Sequence, residues 1–373
     1  MADTLAVLTG RVAVAGALLV LASSAGCGPG TSTPGGRDSR DMGELPDARS
    51  GIVPADGAPP DQPLDASPDG ARDSGLPPLP DPPGDRTLDY VLRIIRFGVE
   101  ESPGITPGFD VDHHVTLSED DPIGCRHVDA TAPARFGGAP GVDNRFGPLL
   151  AQISELGAED VDPLTVFLQN IQGGSILLLV RIAHVAEGDA ARNDGDVSVA
   201  LFLGHVPGGG LPILEPYDDR GTTVMTLAGG QTFLVDPATV EDRDLSRPVI
   251  RVEDAEIRDG RLRAGPVVFS LRLPVRDTAM LDLDIHDAEL VGHVDDETFS
   301  VGMLGGYVVN EDVVTNWMNL QDAFPDITIP STTVRAVLRG EADIELTDAF
   351  GCEGTSLAFT IEGVHAVIGG VAP

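Results

Sequence analysis

The chain contains no lysine: all 24 of its basic residues are arginine. That absence excludes Schiff-base chemistry, pyridoxal-dependent catalysis and a P-loop, since each needs an amine nucleophile or an ammonium at a phosphate. Basic charge of any kind is scarce, because 59 acids stand against those 24 arginines and leave a formal charge of -35. A surface this acidic repels phosphate backbones and anionic headgroups, which argues against a nucleic-acid partner and against a polybasic membrane patch. Cations are favoured electrostatically, although acids also keep a protein soluble. Aromatic residues make up only 4% of the chain, with one tryptophan, and there are three cysteines. No Gly-x-Ser-x-Gly elbow, Cys-x-x-Cys pair or His-Glu-x-x-His helix is present. The sequence therefore points away from an enzyme, the alternative being a secreted hydrolase that uses carboxylates.

The N-terminus carries a location signal. The apolar run Val12 to Leu21 follows Arg11 and leads through Ala22-Ser23-Ser24-Ala25-Gly26 to Cys27. This run is far shorter than the roughly 20 residues that span a bilayer, and small residues follow it as at a cleavage site. Ser24-Ala25-Gly26-Cys27 resembles the lipobox of bacterial lipoproteins, with Ser24 where that family usually has leucine. The resemblance implies a signal peptide over residues 1–27, acylation of Cys27 and attachment to the membrane by lipid alone. Gly28, rather than aspartate, implies the outer membrane of the cell envelope. Residues 28–86 are rich in Pro, Gly, Asp and Ser and hold no aromatic residue. They cannot bury enough apolar surface to offset ordering entropy and are expected to form a disordered tether reaching on the order of 40 to 50 Å.

Residues 87–373 remain to fold as an extracytoplasmic domain, with a possible sub-boundary near residue 174. The expected class is mostly β, an antiparallel sandwich or barrel-like sheet with a small helical hairpin and one further helix; α+β is the alternative. Tyr90 to Phe97, Ser175 to Ile182, Val197 to Leu203 and Val267 to Val275 are rich in branched or aromatic residues. Met280 to Val294 alternates, placing Leu281, Leu283 and Ile285 on one face and Asp282, Asp284 and His286 on the other. Asp259-Gly260 reads as a tight hairpin turn. Further strands are expected at Phe299 to Met303, at Val334 to Leu346 with a break near Gly340, and at Leu357 to Val367. Helices are expected from a cap at Asp143 or Asn144 to Leu156, over Pro163 to Gln172, and from a cap at Asn310 to Phe324 with Trp317 as a core anchor.

If Cys27 carries lipid, Cys125 and Cys352 form an even pair in an oxidising compartment and point to a disulfide, with two buried thiols as the alternative. Around Cys125 lies the densest group of polar residues: Gly108-Phe-Asp-Val-Asp-His-His, Gly124-Cys-Arg-His-Val-Asp and Gly141-Val-Asp-Asn. Asp110, Asp112, Asp129, Asp143 and Asn144 offer the hard oxygen ligands that calcium takes, although not in the spacing of an EF-hand. Asx-turns at Asp110 and Asp112 and a helix cap at Asp143 or Asn144 explain the same residues without an ion. His113, His114 and His127 lack the spacing of a zinc site. The acidic stretch Asp189 to Asp196 reads as a hairpin turn. Residues 108–147 resemble secreted bacterial lipoprotein domains in which Gly-x-Asp-x-Asp, a cysteine and Gly-x-Asp-Asn occur in this order. That resemblance implies no activity. Taken together, the sequence suggests an envelope lipoprotein with a non-catalytic binding or structural domain stabilised by calcium, whose partner is an envelope protein or polysaccharide.

Overall fold

A computed structural model describes residues 86–118, 125, 127–146, 163–188, 192–276, 279–323, 330–347 and 351–373. The export signal, Cys27 and nearly all of the tether lie outside the described residues, as does most of the helix expected from Asp143 or Asn144 to Leu156. The strands are β1 (Arg86–Phe97), β2 (Ala130–Thr131), β3 (Pro140–Val142), β4 (Leu178–Val185), β5 (Asp194–His205), β6 (Leu214–Asp219) and β7 (Thr222–Leu227). They continue with β8 (Gln231–Val235), β9 (Ile250–Arg258), β10 (Arg261–Arg276), β11 (Ala279–Val294), β12 (Thr298–Val309), β13 (Ile344–Thr347) and β14 (Gly351–Val371). The helices are α1 (Pro163–Gln172), α2 (Asn310–Ala323) and α3 (Ser331–Glu341).

Antiparallel pairing runs β1-β4-β5-β9-β10-β11-β12-β14 and returns from β14 to β1, so the sheet closes into a barrel. Strands before and after residue 174 belong to this one ring. Each strand neighbours the next ring member along the chain, which is the up-and-down order. The long strand β14 makes the closure: Val364 lies between Val91 of β1 and Thr298 of β12. Its last residues continue beyond the ring and pair parallel with β8. Asp259 and Gly260 both take positive φ, 51° and 76°, and join β9 to β10 directly after the Arg258–Arg261 pair. Those are the signs a two-residue hairpin demands, and they match the right-handed twist of its strands.

A barrel of eight strands has an interior that side chains can just fill. Here Tyr90, Phe202, Phe269, Phe299 and Phe359 are fully buried, and Tyr90 meets Phe299 edge-on at 5.9 Å. The void between Leu92, Ile95, Leu178, Leu271, Leu304, Phe359 and Ile361 measures about 10 Å³. That is room for one water at most, so the interior is a core rather than a ligand cup. On β11, Leu283 and Ile285 are buried while Asp282 and Asp284 are exposed, as alternation requires. Glu253, Arg263 and Asp284 place charge on the outer face. Apolar inside and charged outside is the reverse of the pattern a lipid-embedded barrel carries. Among the described residues no helix is long and apolar enough to cross a membrane.

The β6–β7 hairpin lies over β1, where Arg93 stacks on the Tyr217 ring at 3.9 Å and Arg96 pairs with Asp219. The expected strand from Val334 to Leu346 is corrected. Residues 331–341 form helix α3, and only Ile344–Thr347 is strand. Val334 and Leu338, four residues apart, are both buried, and Pro330 precedes the first turn. One buried stripe at helical spacing outweighs the β-preference of Thr332, Thr333 and Val334. Helix α2 appears where expected, with Val314 and Trp317 buried. Asn310 does more than begin it: its Nδ2 donates to the Leu338 carbonyl at 3.3 Å, and its Oδ1 accepts from Thr355 Oγ1 at 2.7 Å. Glu311 then grips Arg335 through two bonds of 2.9 and 2.8 Å, joining α2 to α3.

Candidate functional site

The polar group around residue 110 sits on the outside of the barrel. The chain leaves β1 at Gly98, whose N–H donates to Ala358 of β14 at 2.7 Å, and comes back to β14 where the Arg145 N–H meets the Ser356 hydroxyl at 3.1 Å. Between these points the short β2–β3 hairpin buries Ala132, Phe136 and Val142 against Val291 of β11 and Met303 of β12. Asn144 clamps the crossing: its Nδ2 donates to the carbonyls of Gly98 at 2.8 Å and Pro107 at 2.7 Å. A Cβ on Gly98 would lie 2.6 Å from that nitrogen, so the close approach requires glycine. The disulfide between Cys125 and Cys352, 227 residues apart, fastens the same loop to the start of β14.

This frame brings carboxylates together. One oxygen each from Asp110, Asp112 and Asp143 lies within 4.8 Å of the other two. Asp143 Oδ2 accepts from the N–H groups of Val111 at 2.8 Å and Asp112 at 3.3 Å, so it fixes the turn that carries its own neighbours. Asp112 Oδ1 accepts from the His114 N–H at 2.8 Å, and Asp129 Oδ2 from the Thr116 N–H at 2.6 Å. The Oδ1 of Asp110 is buried and has no hydrogen-bond partner among the described residues. At an effective dielectric of about 20, two carboxylates at this separation repel by roughly 3 kcal/mol. Protons or a cation must offset that.

The titration of the group reflects the same cost. Burial, then the nearby Asp112 and Asp343 charges, holds Asp143 far above the ordinary carboxylate range. Burial raises Asp129 and Asp112 as well. Asp343 is pushed up to about 7 by burial, against the hydrogen bonds it accepts from Ser356. Asp129, Asp143 and Asp343 share the wall of an open cleft of about 360 Å³, together with His127 and Arg145.

Three of the five candidate calcium ligands therefore assemble, Asp110, Asp112 and Asp143, while Asp129 lines the neighbouring cleft beside Asp143. Asn144 is turned to the backbone through its amide nitrogen and serves as a clamp. Asp143 holds the Val111–Asp112 turn rather than acting only as a helix cap. The disulfide removes Cys125 as a metal ligand for the neighbouring histidines. Asp194, from the second acidic stretch, accepts from the Ala186 N–H at 2.7 Å and the Asp196 N–H at 3.2 Å, as a hairpin turn uses such a residue. Asp343 was not legible as part of the site. It follows α3 more than two hundred residues beyond Asp110, in a stretch read as strand, and no local pattern marks it. The class defined here is a filled, closed antiparallel barrel with a carboxylate cluster on its outer wall. The chain matches no protein-family model, no curated protein and no solved structure.

Proposed function

We propose that this protein is an outer-membrane lipoprotein, acylated at Cys27 and tethered by residues 28–86, whose barrel is a non-catalytic binding or structural domain with calcium at Asp110, Asp112 and Asp143. The observation that carries the ion is the buried Oδ1 of Asp110, unpartnered among the described residues, beside two other carboxylates within 4.8 Å. Calcium takes six to eight oxygen ligands and tolerates irregular geometry, which suits carboxylates on loops. The ion would lock the 98–146 crossing and so shape the surface offered to an envelope protein or polysaccharide. The filled barrel interior supports surface recognition over a ligand held inside. Binding of calcium to the folded state alone must raise its stability. Chelated protein is expected to melt at a higher temperature after millimolar calcium is added, and an unchanged melting temperature overturns the ion. For the anchor, mass spectrometry is expected to find acyl chains on Cys27; an unmodified N-terminus refutes it.

One observation favours a second reading, a secreted hydrolase. Asp129, Asp143 and Asp343 line a cleft, and Asp343 is raised into the range of a general acid. Against this, Asp143, Asp129 and Asp343 each already accept backbone N–H bonds and hold the loops in place. Turnover of a polysaccharide or ester that disappears in Asp343→Asn, with calcium binding retained, would establish the enzyme.

A further inference from the structure

On the opposite side of the ring from the acidic loops, the outer face of β4, β5 and β9 carries a depression of about 450 Å³. Its floor is made of small side chains, Ala183 on β4 and Ser198 and Ala200 on β5, with Ala183 directly across from Ser198. In the adjoining cross-strand row Ala200 lies between Arg181 of β4 and Arg251 of β9. Strands are about 4.8 Å apart, so the two arginines rise about 10 Å from each other over a floor with no bulk between them. Arg181 gives Nε and Nη2 to Asp89 at 2.8 and 2.9 Å, which fixes its plane and leaves Nη1 uncommitted to that carboxylate. Arg251 meets Glu253 at 2.8 Å on the exposed rim.

Two further features single this depression out. Ser198 is only 6% exposed and lines the depression. Beside it, β4 bulges: between the pairs Arg86–Val185 and Leu88–Ile182, two residues of β4 oppose one of β1. The bulge puts His184 at φ 65°, a conformation rare for a side-chain-bearing residue, and His184 lines the depression. Bulges commonly re-aim a side chain in this way. On the rim Asp244 is occupied with its own turn, accepting from the Ser246 N–H at 2.9 Å and hydroxyl at 2.8 Å.

We infer that this depression binds an oxyanion group, a carboxylate, phosphate or sulfate, between Arg181 and Arg251 with Ser198 donating from the floor. Arg181 and Arg251 keep guanidinium N–H groups beyond those given to Asp89 and Glu253, and guanidinium forks suit planar or tetrahedral oxyanions. The volume exceeds one such ion, so the group is borne on a larger small molecule or on a chain.

The test is calorimetric titration of the full chain with acetate, inorganic phosphate and sulfate, ionic strength held constant with chloride. Saturable one-to-one binding of at least one of the three is expected. Arg251→Gln and Ser198→Ala should each weaken it about tenfold, while Arg192→Gln, on another cleft, should leave it unchanged. Circular dichroism establishes that the variants are folded. Absence of saturable binding in the wild type, equal response to chloride, or folded variants that bind as tightly as wild type would each overturn the site.

Discussion

Asp343 accepts the backbone N–H of Ser356 at 2.8 Å and also the Ser356 hydroxyl, from a position only 5% exposed. Helix α3 and β14 are joined through this carboxylate, and the same group forms part of the wall of the acidic cleft. Its placement makes the stability of the domain sensitive to pH.

Asp343 is raised from 3.8 to about 7, mainly by burial. A carboxyl raised in the folded state keeps its proton there while the unfolded chain has lost it, so the folded form binds more protons between about 4 and about 7. Its contribution is therefore present at acid pH and lost as pH rises through that window, by on the order of 4 kcal/mol. Melting temperatures in EDTA are expected to fall from pH 5 to pH 8. Asp343→Asn, which keeps an acceptor for Ser356, should flatten that slope; an equally steep slope in the variant would assign it to other groups.

Calcium should act against this trend at the neighbouring cluster. Asp112→Asn removes one charge from the group of three while leaving an oxygen for the His114 N–H. The variant is expected to melt higher than wild type in EDTA, because repulsion is relieved, and to gain less from calcium. A gain as large as that of wild type would place the ion elsewhere.

Removal of the disulfide acts on the unfolded chain and on the loop together. Closure over 227 residues corresponds to on the order of 5 kcal/mol in the chain-entropy account, an upper figure for this loop. Cys125→Ser with Cys352→Ser should lower the denaturation midpoint and raise hydrogen exchange in residues 98–146 before the barrel strands. Uniform loss of protection across the barrel would show that the link supports the whole domain.

Gly98 faces Asn144 at a distance that admits no side chain. In Gly98→Ala the new methyl would meet Asn144 Nδ2 at 2.6 Å and the Pro107 carbonyl at 2.8 Å. Displacing the clamp should cost about 2 kcal/mol, within the range for overpacked positions, and should weaken calcium binding by loosening the loop. Unchanged urea unfolding would mean that the crossing has room the geometry does not show.

Legibility in the sequence followed the range of the interactions. The alternation of Leu283 and Ile285 with Asp282 and Asp284 and the Asp259-Gly260 turn are set by neighbours two residues apart or fewer, and both stand as read. Helix α3 did not, because Thr332, Thr333 and Val334 favour strand locally while burial of Val334 and Leu338 is settled by what lies beside them. Asp110, Asp112 and Asp143 could be gathered on paper through their glycine-flanked motifs. Asp343 could not, although it is buried like Asp143.

Taken alone, the sequence determined which segments expose one face and bury the other, where the chain turns tightly, and which chemistries its missing residues forbid, since these depend on composition and local spacing. The tertiary structure decided that the strands close into a ring, that Cys125 meets Cys352, and that acids far apart in the chain share one wall. Those outcomes depend on which strand pairs with which, and pairing is selected by burial summed over the whole barrel rather than by any short stretch of residues.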